Sequence, residues 1–207
     1  MSSYLKLKKE KPIIAKKGLV IAYIGDGKGK TTAAMGLVAR ASGAKLRVFI
    51  LQFVKAKAPE DGEHLKPGEW PLSSEINFFE RCSDSNLGSV ETEQVGSGFV
   101  GILGDKKEKS EHIRQALKGL DIARKAILSG EYEVVILDEI ISALELKLIE
   151  QQDILDLLLH KPQMLHIVLT GHKKFPKILK QCDLVTEMKL VKHPYYEGVL
   201  AQKGIDY

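Results

Sequence analysis

The chain has 207 residues, 44% of them apolar and 28% charged, and a net charge of +4. That length suits one domain with a real core, and the composition is that of a folded globular protein rather than a disordered or repetitive one. A charge this mild fits an anionic small-molecule ligand and leaves no footprint for nucleic acid, and no apolar run is long enough to span a bilayer.

Residues 1–17 (MSSYLKLKKEKPIIAKK) are lysine-rich without periodicity and read as a flexible basic arm; they lack the apolar core and cleavage site of a signal peptide. Cys82 and Cys182 have neither disulfide nor metal-site spacing, so free thiols in a reducing, cytoplasmic setting are expected. Residues 18–207 then read as one domain. Its first strand, residues 18–23 (GLVIAY), leads into Ile24-Gly25-Asp26-Gly27-Lys28-Gly29-Lys30-Thr31-Thr32 and a helix-forming run over residues 33–40, closed by Gly43. Strand, glycine-rich turn, Gly-Lys-Thr and helix make up a phosphate-binding loop. Glycines let backbone N–H groups curl round phosphate oxygens, the helix N-terminus adds positive potential, and Lys30 supplies a mobile charge. The Thr31 hydroxyl stands where a phosphate-bound Mg²⁺ would sit. Ile24 occupies the place of the usual first glycine, so Gly25 opens a loop one residue tighter than the common pattern.

Further along, residues 46–53 (LRVFILQF) read as a second buried strand, residues 54–74 as a long irregular segment, and residues 76–79 (INFF) as a short third strand. Residues 82–104 read as irregular and residues 106–128 as an amphipathic helix stopped by Gly130. A buried strand over residues 132–139 ends in Asp138-Glu139, the acidic partner of a phosphate loop. A helix over residues 149–159, a strand over 165–171, a short helix over 174–181 and a last strand over 183–188 follow; the tail from 192 to 207 has no periodicity. Alternating strands and helices with continuously apolar strands predict an α/β fold of the P-loop NTPase-like (RecA-like) kind, a mostly parallel sheet with helices on both faces. Ligands of such sheets bind at the strands' carboxyl ends, where Gly25, Gln52, Asp138 and Thr170 all fall. The six histidines show no metal-ligand spacing; His112 and His160 are expected on helix surfaces, and His172 beside the ligand.

Several segments in order carry a more specific resemblance: the loop from Gly25, Gln52-Phe-Val-Lys55, Gly96-Ser-Gly-Phe99, Leu137-Asp-Glu139, Leu169-Thr-Gly171, Val191-Lys-His193 and the ending Ala201-Gln-Lys-Gly-Ile-Asp-Tyr207. Together they resemble the ATP:corrinoid adenosyltransferase family over residues 18–207, and the short loop and the ending are its most diagnostic pieces. The resemblance implies transfer of the 5′-deoxyadenosyl group from ATP to a Co(I) corrinoid, with release of triphosphate, in cobalamin biosynthesis or salvage. The metal of the corrinoid is then the nucleophile, which agrees with the absence of an activated serine or cysteine context. By resemblance Gly25, Asp26, Gly27, Lys28, Gly29, Lys30, Thr31 and Thr32 grip the triphosphate, and Lys30, Thr31 and Glu139 carry catalysis. Thr31, Asp138 and Glu139 organise Mg²⁺ (or Mn²⁺), Gln52 and Lys55 line the nucleotide pocket, Phe99 faces the corrinoid, and His172 joins the site. A homodimer and a flavoprotein reductant are implied as well.

Three positions depart from the family's pattern. Gly98-Phe99-Val100-Gly101 stands where Gly-Phe-Thr-Trp is common, His172 where an arginine is common, and Asp26 where an asparagine is common. The rival readings of these residues are a P-loop ATPase or kinase in which Glu139 orients a water or hydroxyl, and a paralogue that binds nucleotide and corrinoid without turnover.

Overall fold

Residues 17–56, 74–82, 86–96, 107–202 and 204–206 are described by a computed structural model of the chain. Strands β1 (Val20–Ile24), β2 (Val48–Ala56), β3 (Val90–Gly96), β4 (Val134–Asp138), β5 (His166–Thr170) and β6 (Leu184–Glu187) form one sheet in the order β3-β2-β4-β5-β1-β6, with every pairing parallel. Helices α1 (Lys30–Gly43), α2 (Ser74–Arg81), α3 (Lys109–Leu128), α4 (Ile140–Glu145), α5 (Gln151–Leu159) and α6 (Pro176–Leu179) complete the α/β fold.

Burial on both faces explains why the inner strands are apolar without alternation. On one face Ala34, Met35 and Val38 of α1 and Ile76 and Phe79 of α2 pack on Ile50, Ile136 and Val168. On the other, Ala116, Leu120 and Ile127 of α3 and Ile154 and Leu157 of α5 pack on Leu51, Leu137 and Leu169. Of the two edge strands, β6 is the more exposed among the described residues, with Leu184 and Val185 open to solvent.

Three expectations are corrected. Residues 76–79 are not a strand but the middle of α2, because a short apolar run does not tell strand from helix; Ile76 and Phe79, three apart, share the buried face while Phe78 points out. The third strand is instead β3, inside the stretch expected to be irregular; it is a sheet edge, and its polar sequence VETEQVG is mostly half-buried. His112 is buried on α3 rather than on its surface. His160 is exposed as expected, and Cys82 and Cys182 are unpaired. Two further elements are α4, in the turn after β4, and a 3₁₀ turn over Pro194–Glu197 in the tail. Of the arm over residues 1–17, all but Lys17 lies outside the described residues.

At the amino end of the sheet, polar groups tie β1 to its neighbours. The Lys161 ammonium donates to the carbonyls of Gly18, Pro162 and Leu165 at 2.8–3.0 Å. Asp183 pairs with Lys17 and accepts from the Val20 N–H at 2.9 Å, while His166 Nδ1 accepts from the Leu19 N–H at 3.2 Å. Gly18 is needed here because a Cβ would lie 2.0 Å from the Leu165 carbonyl oxygen. Gly18→Ala is therefore expected to lower stability by about 2 kcal/mol, as overpacking against rigid backbone does; urea denaturation measures it, and an unchanged midpoint would refute the contact.

Candidate active site

The carboxyl ends of the strands bring the expected groups together through register. Gln52 of β2 lies opposite Gln94 of β3 on one side and Asp138 of β4 on the other. Because side chains alternate along a strand, residues paired across parallel strands point to the same face. Their side chains form a continuous hydrogen-bonded row: Gln94 Nε2 donates to Gln52 Oε1 at 2.6 Å, and Gln52 Nε2 donates to Asp138 Oδ2 at 3.0 Å. Asp138 Oδ1 accepts from Thr31 Oγ1 at 3.0 Å and Thr170 Oγ1 at 2.8 Å, and Thr170 Oγ1 accepts from the Glu139 N–H at 2.8 Å. Thr31 is the loop threonine, so this row joins the phosphate loop to the acidic strand end. Gln94 escaped sequence reading because its strand did; Thr170 is marked by its place at a strand end and by the segment Leu169-Thr-Gly171 of the resemblance.

Loop glycines have two distinct reasons. Gly25 and Gly29 take φ of 108° and 102°, in the left-handed region that side chains resist. At Gly27 the reason is space, since a Cβ would lie 2.8–2.9 Å from the backbone of Met188 and Lys189, which follow β6. Gly25 and Gly27 also donate their N–H groups to the carbonyls of His172 and Met188, both at 2.9 Å, and so brace the loop from outside. The start of α1 has no side-chain cap and no acidic residue in its first turn, an arrangement suited to an anion. Lys28 pairs with Asp206, whose other oxygen accepts from the Gln202 N–H at 2.8 Å; this pins the tail against the loop.

Lys30 is buried and donates to the Gly27 carbonyl at 2.8 Å. Loss of water lowers its ammonium from the ordinary value of 10.5, against the opposing charges of Glu139, Asp26 and Asp138. Glu139 follows β4 with φ 62° and caps α4. Burial first, and the neighbouring Asp138 second, raise its carboxyl above the ordinary 4.5, opposed by Ser142, His172 and Lys30. His172 is exposed beside this turn. Asp26, Asp138 and Glu139 act on the Lys30 ammonium, and Asp206 pairs with Lys28. Hard oxygen donors from Thr31 and Glu139, with Asp138 behind Thr31, suit a magnesium ion shared with phosphate. Among the described residues no cluster of three or more His, Cys, Asp or Glu side chains could enclose a metal unaided. Thr32 and Asp26 are exposed, the Lys55 side chain is not described, and Phe99 and Gly101 lie outside the described residues.

The chain matches the family described as ATP:corrinoid adenosyltransferase BtuR/CobO/CobP over residues 16–207. It is 30% identical to a corrinoid adenosyltransferase of Pseudomonas aeruginosa over 92% of this chain and 84% of that one. To a corrinoid adenosyltransferase of a Sinorhizobium species it is 31% identical over 92% of this chain and 81% of the relative. Against the one of Escherichia coli the identity is 29%, over 92% and 86% of the two chains.

The raised pKa of Glu139 has a consequence for stability. A carboxyl that the fold prefers protonated contributes stability in full below its unfolded value near 4.5 and loses it as pH rises through the raised folded value. With a chelator present, the melting temperature is expected to fall as pH rises from about 4.5 through the raised folded value, and Glu139→Gln to flatten the fall; parallel curves for the two proteins would refute the shift.

Proposed function

The chain belongs to the ATP:corrinoid adenosyltransferase family, and from that membership and the loop's geometry we propose which of its residues carry the reaction. The chain catalyses ATP-dependent adenosyl transfer to a corrinoid, in cobalamin biosynthesis. The observation that carries the residue assignment is the bond from Thr31 Oγ1 to Asp138 Oδ1 at 3.0 Å, which joins the loop to the acidic strand end.

In this reading the Co(I) centre of the corrinoid attacks C5′ of ATP. A cobalt–carbon bond forms as the C5′–oxygen bond breaks, the electron pair leaves on the triphosphate, and cobalt passes from Co(I) to Co(III). The protein contributes position and charge rather than a nucleophile. Lys30 turns from the Gly27 carbonyl to the triphosphate and stabilises the charge that gathers on it. Amide N–H groups at the start of α1 and in the loop before it hold phosphate oxygens, and Lys28 adds a second cation. Thr31 and Glu139 hold magnesium (or manganese), with Asp138 fixing Thr31; the ion supplies neutralisation of the polyphosphate. Gln52 is a positioning residue, set by the same carboxylate. We assign Lys55 to the nucleotide pocket, Phe99 to the corrinoid side, and His172 to a position beside the site.

The finer context belongs to the same proposal. Co(I) needs a strong reductant, for which a flavoprotein is the chemical match. Homodimerisation is supported by the apolar side chains left exposed along β6 and the tail, among them Leu184, Val185, Val191, Leu200 and Ile205. A cytoplasmic setting agrees with two unpaired cysteines and with the finding that no helix among the described residues is long and apolar enough to cross a membrane.

An anaerobic assay with ATP, Mg²⁺ and chemically reduced corrinoid tests the reading. Adenosylated corrinoid and inorganic triphosphate are expected in equal amounts; phosphate or ADP without alkylated corrinoid would overturn it. Lys30→Ala is expected to lower kcat at least about 100-fold while the melting temperature holds, the cost of removing a charge from the transition state. Wild-type turnover in that variant would remove Lys30 from the mechanism. Removing divalent ions with a chelator is expected to abolish turnover and Mg²⁺ to restore it; full activity in the chelator would refute the cation's role.

A further inference from the structure

The row of side chains beneath the loop has a direction. The Asp138 carboxylate accepts from three donors, and Gln52 turns its amide nitrogen toward it and its carbonyl oxygen away. That oxygen in turn requires a donor, which fixes the amide nitrogen of Gln94 against it at 2.6 Å. Gln94 Oε1 is therefore forced outward by a carboxylate two strands away, and turning either amide over would set like groups against each other. Among the described residues this oxygen is shielded from solvent and has no hydrogen-bond partner. Buried acceptors in native folds are rarely left so, and those that are call for an explanation.

Its place supplies one. Gln94 stands at the carboxyl end of β3, on the face shared with Gln52 and Asp138, in the region where parallel sheets bind ligands. Two strand spacings put it on the order of 10 Å from Asp138, on the side away from β1 and its loop. A nucleotide whose triphosphate lies in the loop reaches this end of the crevice with its far side. We propose that Gln94 is a substrate-recognition residue whose Oε1 accepts a hydrogen bond from a substrate N–H, either the exocyclic amine of the ATP base or a carboxamide on the rim of the corrinoid. The proposal rests on the functional reading above.

Calorimetric titration of the full chain with four probes tests it: Mg-ATP, the Mg complex of purine riboside triphosphate (which lacks the amine), hydroxocobalamin and inorganic triphosphate. Wild-type protein is expected to prefer ATP over the amine-free analogue by about tenfold, the scale of one hydrogen bond. Gln94→Met is expected to erase that preference. Gln94→Glu, which keeps an acceptor but cannot donate to Gln52, is expected to retain it. A tenfold loss of hydroxocobalamin affinity in Gln94→Met, with both nucleotides unaffected, would support the same acceptor role with the corrinoid as donor. Equal weakening of both nucleotides in Gln94→Met would reduce Gln94 to a prop for Gln52 and overturn the proposal, as would unchanged affinity for every probe. If Gln94→Met does not fold, equal wild-type affinity for the two nucleotides together with unaltered hydroxocobalamin binding in Gln94→Ala, which has no side-chain acceptor, would likewise overturn it. Failure of wild-type protein to bind inorganic triphosphate would overturn the loop reading itself and this proposal with it, whereas normal binding of that probe confines any failure to Gln94.

Discussion

A single carboxylate, that of Asp138, organises the ends of four strands and the start of α1. It is fully buried and accepts from Thr31, Thr170 and Gln52 at 2.8–3.0 Å. A buried charge is tolerated only when its lone pairs are met, and here three neutral donors meet them, with no basic side chain among the described residues in hydrogen-bonding contact. The donors are in place because Gln52 and Asp138 are register partners. A slip of one residue between β2 and β4 would turn Gln52 to the opposite face and strip the carboxylate of a partner. Register of the central sheet and geometry of the site are thus one constraint.

Neighbours in sequence, Asp138 and Glu139 have opposite duties. Asp138 is sealed by the row, while the left-handed φ of 62° at Glu139 swings the chain off the strand and into α4. For a residue with a side chain that conformation costs on the order of 1–2 kcal/mol. Two hydrogen bonds hold it: the Glu139 N–H on Thr170 at 2.8 Å, and the Glu139 carbonyl on the Ala143 N–H at 2.9 Å. Close packing of Gly171 on Ile141 and Ser142 leaves the turn no other course. One carboxylate therefore serves the protein's interior and the other is presented beside Lys30.

Much of this was legible in the residues. The loop, the apolar inner strands and the acidic pair all carry strong local signals, because full burial and phosphate binding each demand narrow residue types. Gln52, Asp138 and Thr170 could be placed at strand ends, and they do converge. What escaped was written in weaker terms. The run INFF satisfies a strand and a helix alike, and its helical course is set by the packing of Ile76 and Phe79 on α1's face of the sheet. The edge strand VETEQVG, half-exposed, lacks the apolar run that identifies an inner strand. With it went Gln94, whose part in the row exists only through pairing with β2. Gly27 carries the local signal of a phosphate-loop glycine, and the added demand for space comes from Met188 and Lys189, far along the chain. No local pattern reports contacts of that range.

The strand order has a consequence for how the chain reaches its native state. β1, first to be synthesised, has only β5 and β6 as sheet partners, and the Leu19–His166 contact beside it spans 147 residues. Synthesis proceeds from the amino end, so Val20–Ile24 leave the ribosome as an unpaired apolar strand and remain so until the last third of the chain has followed. Distant pairings of this kind form slowly and leave sticky edges exposed meanwhile. The loop that follows β1 is braced by the same late segments, through the carbonyls of His172 and Met188. Competence of the loop would thus arise at the close of folding, which makes nucleotide binding a reporter of completed topology and β1 a natural point of chaperone engagement.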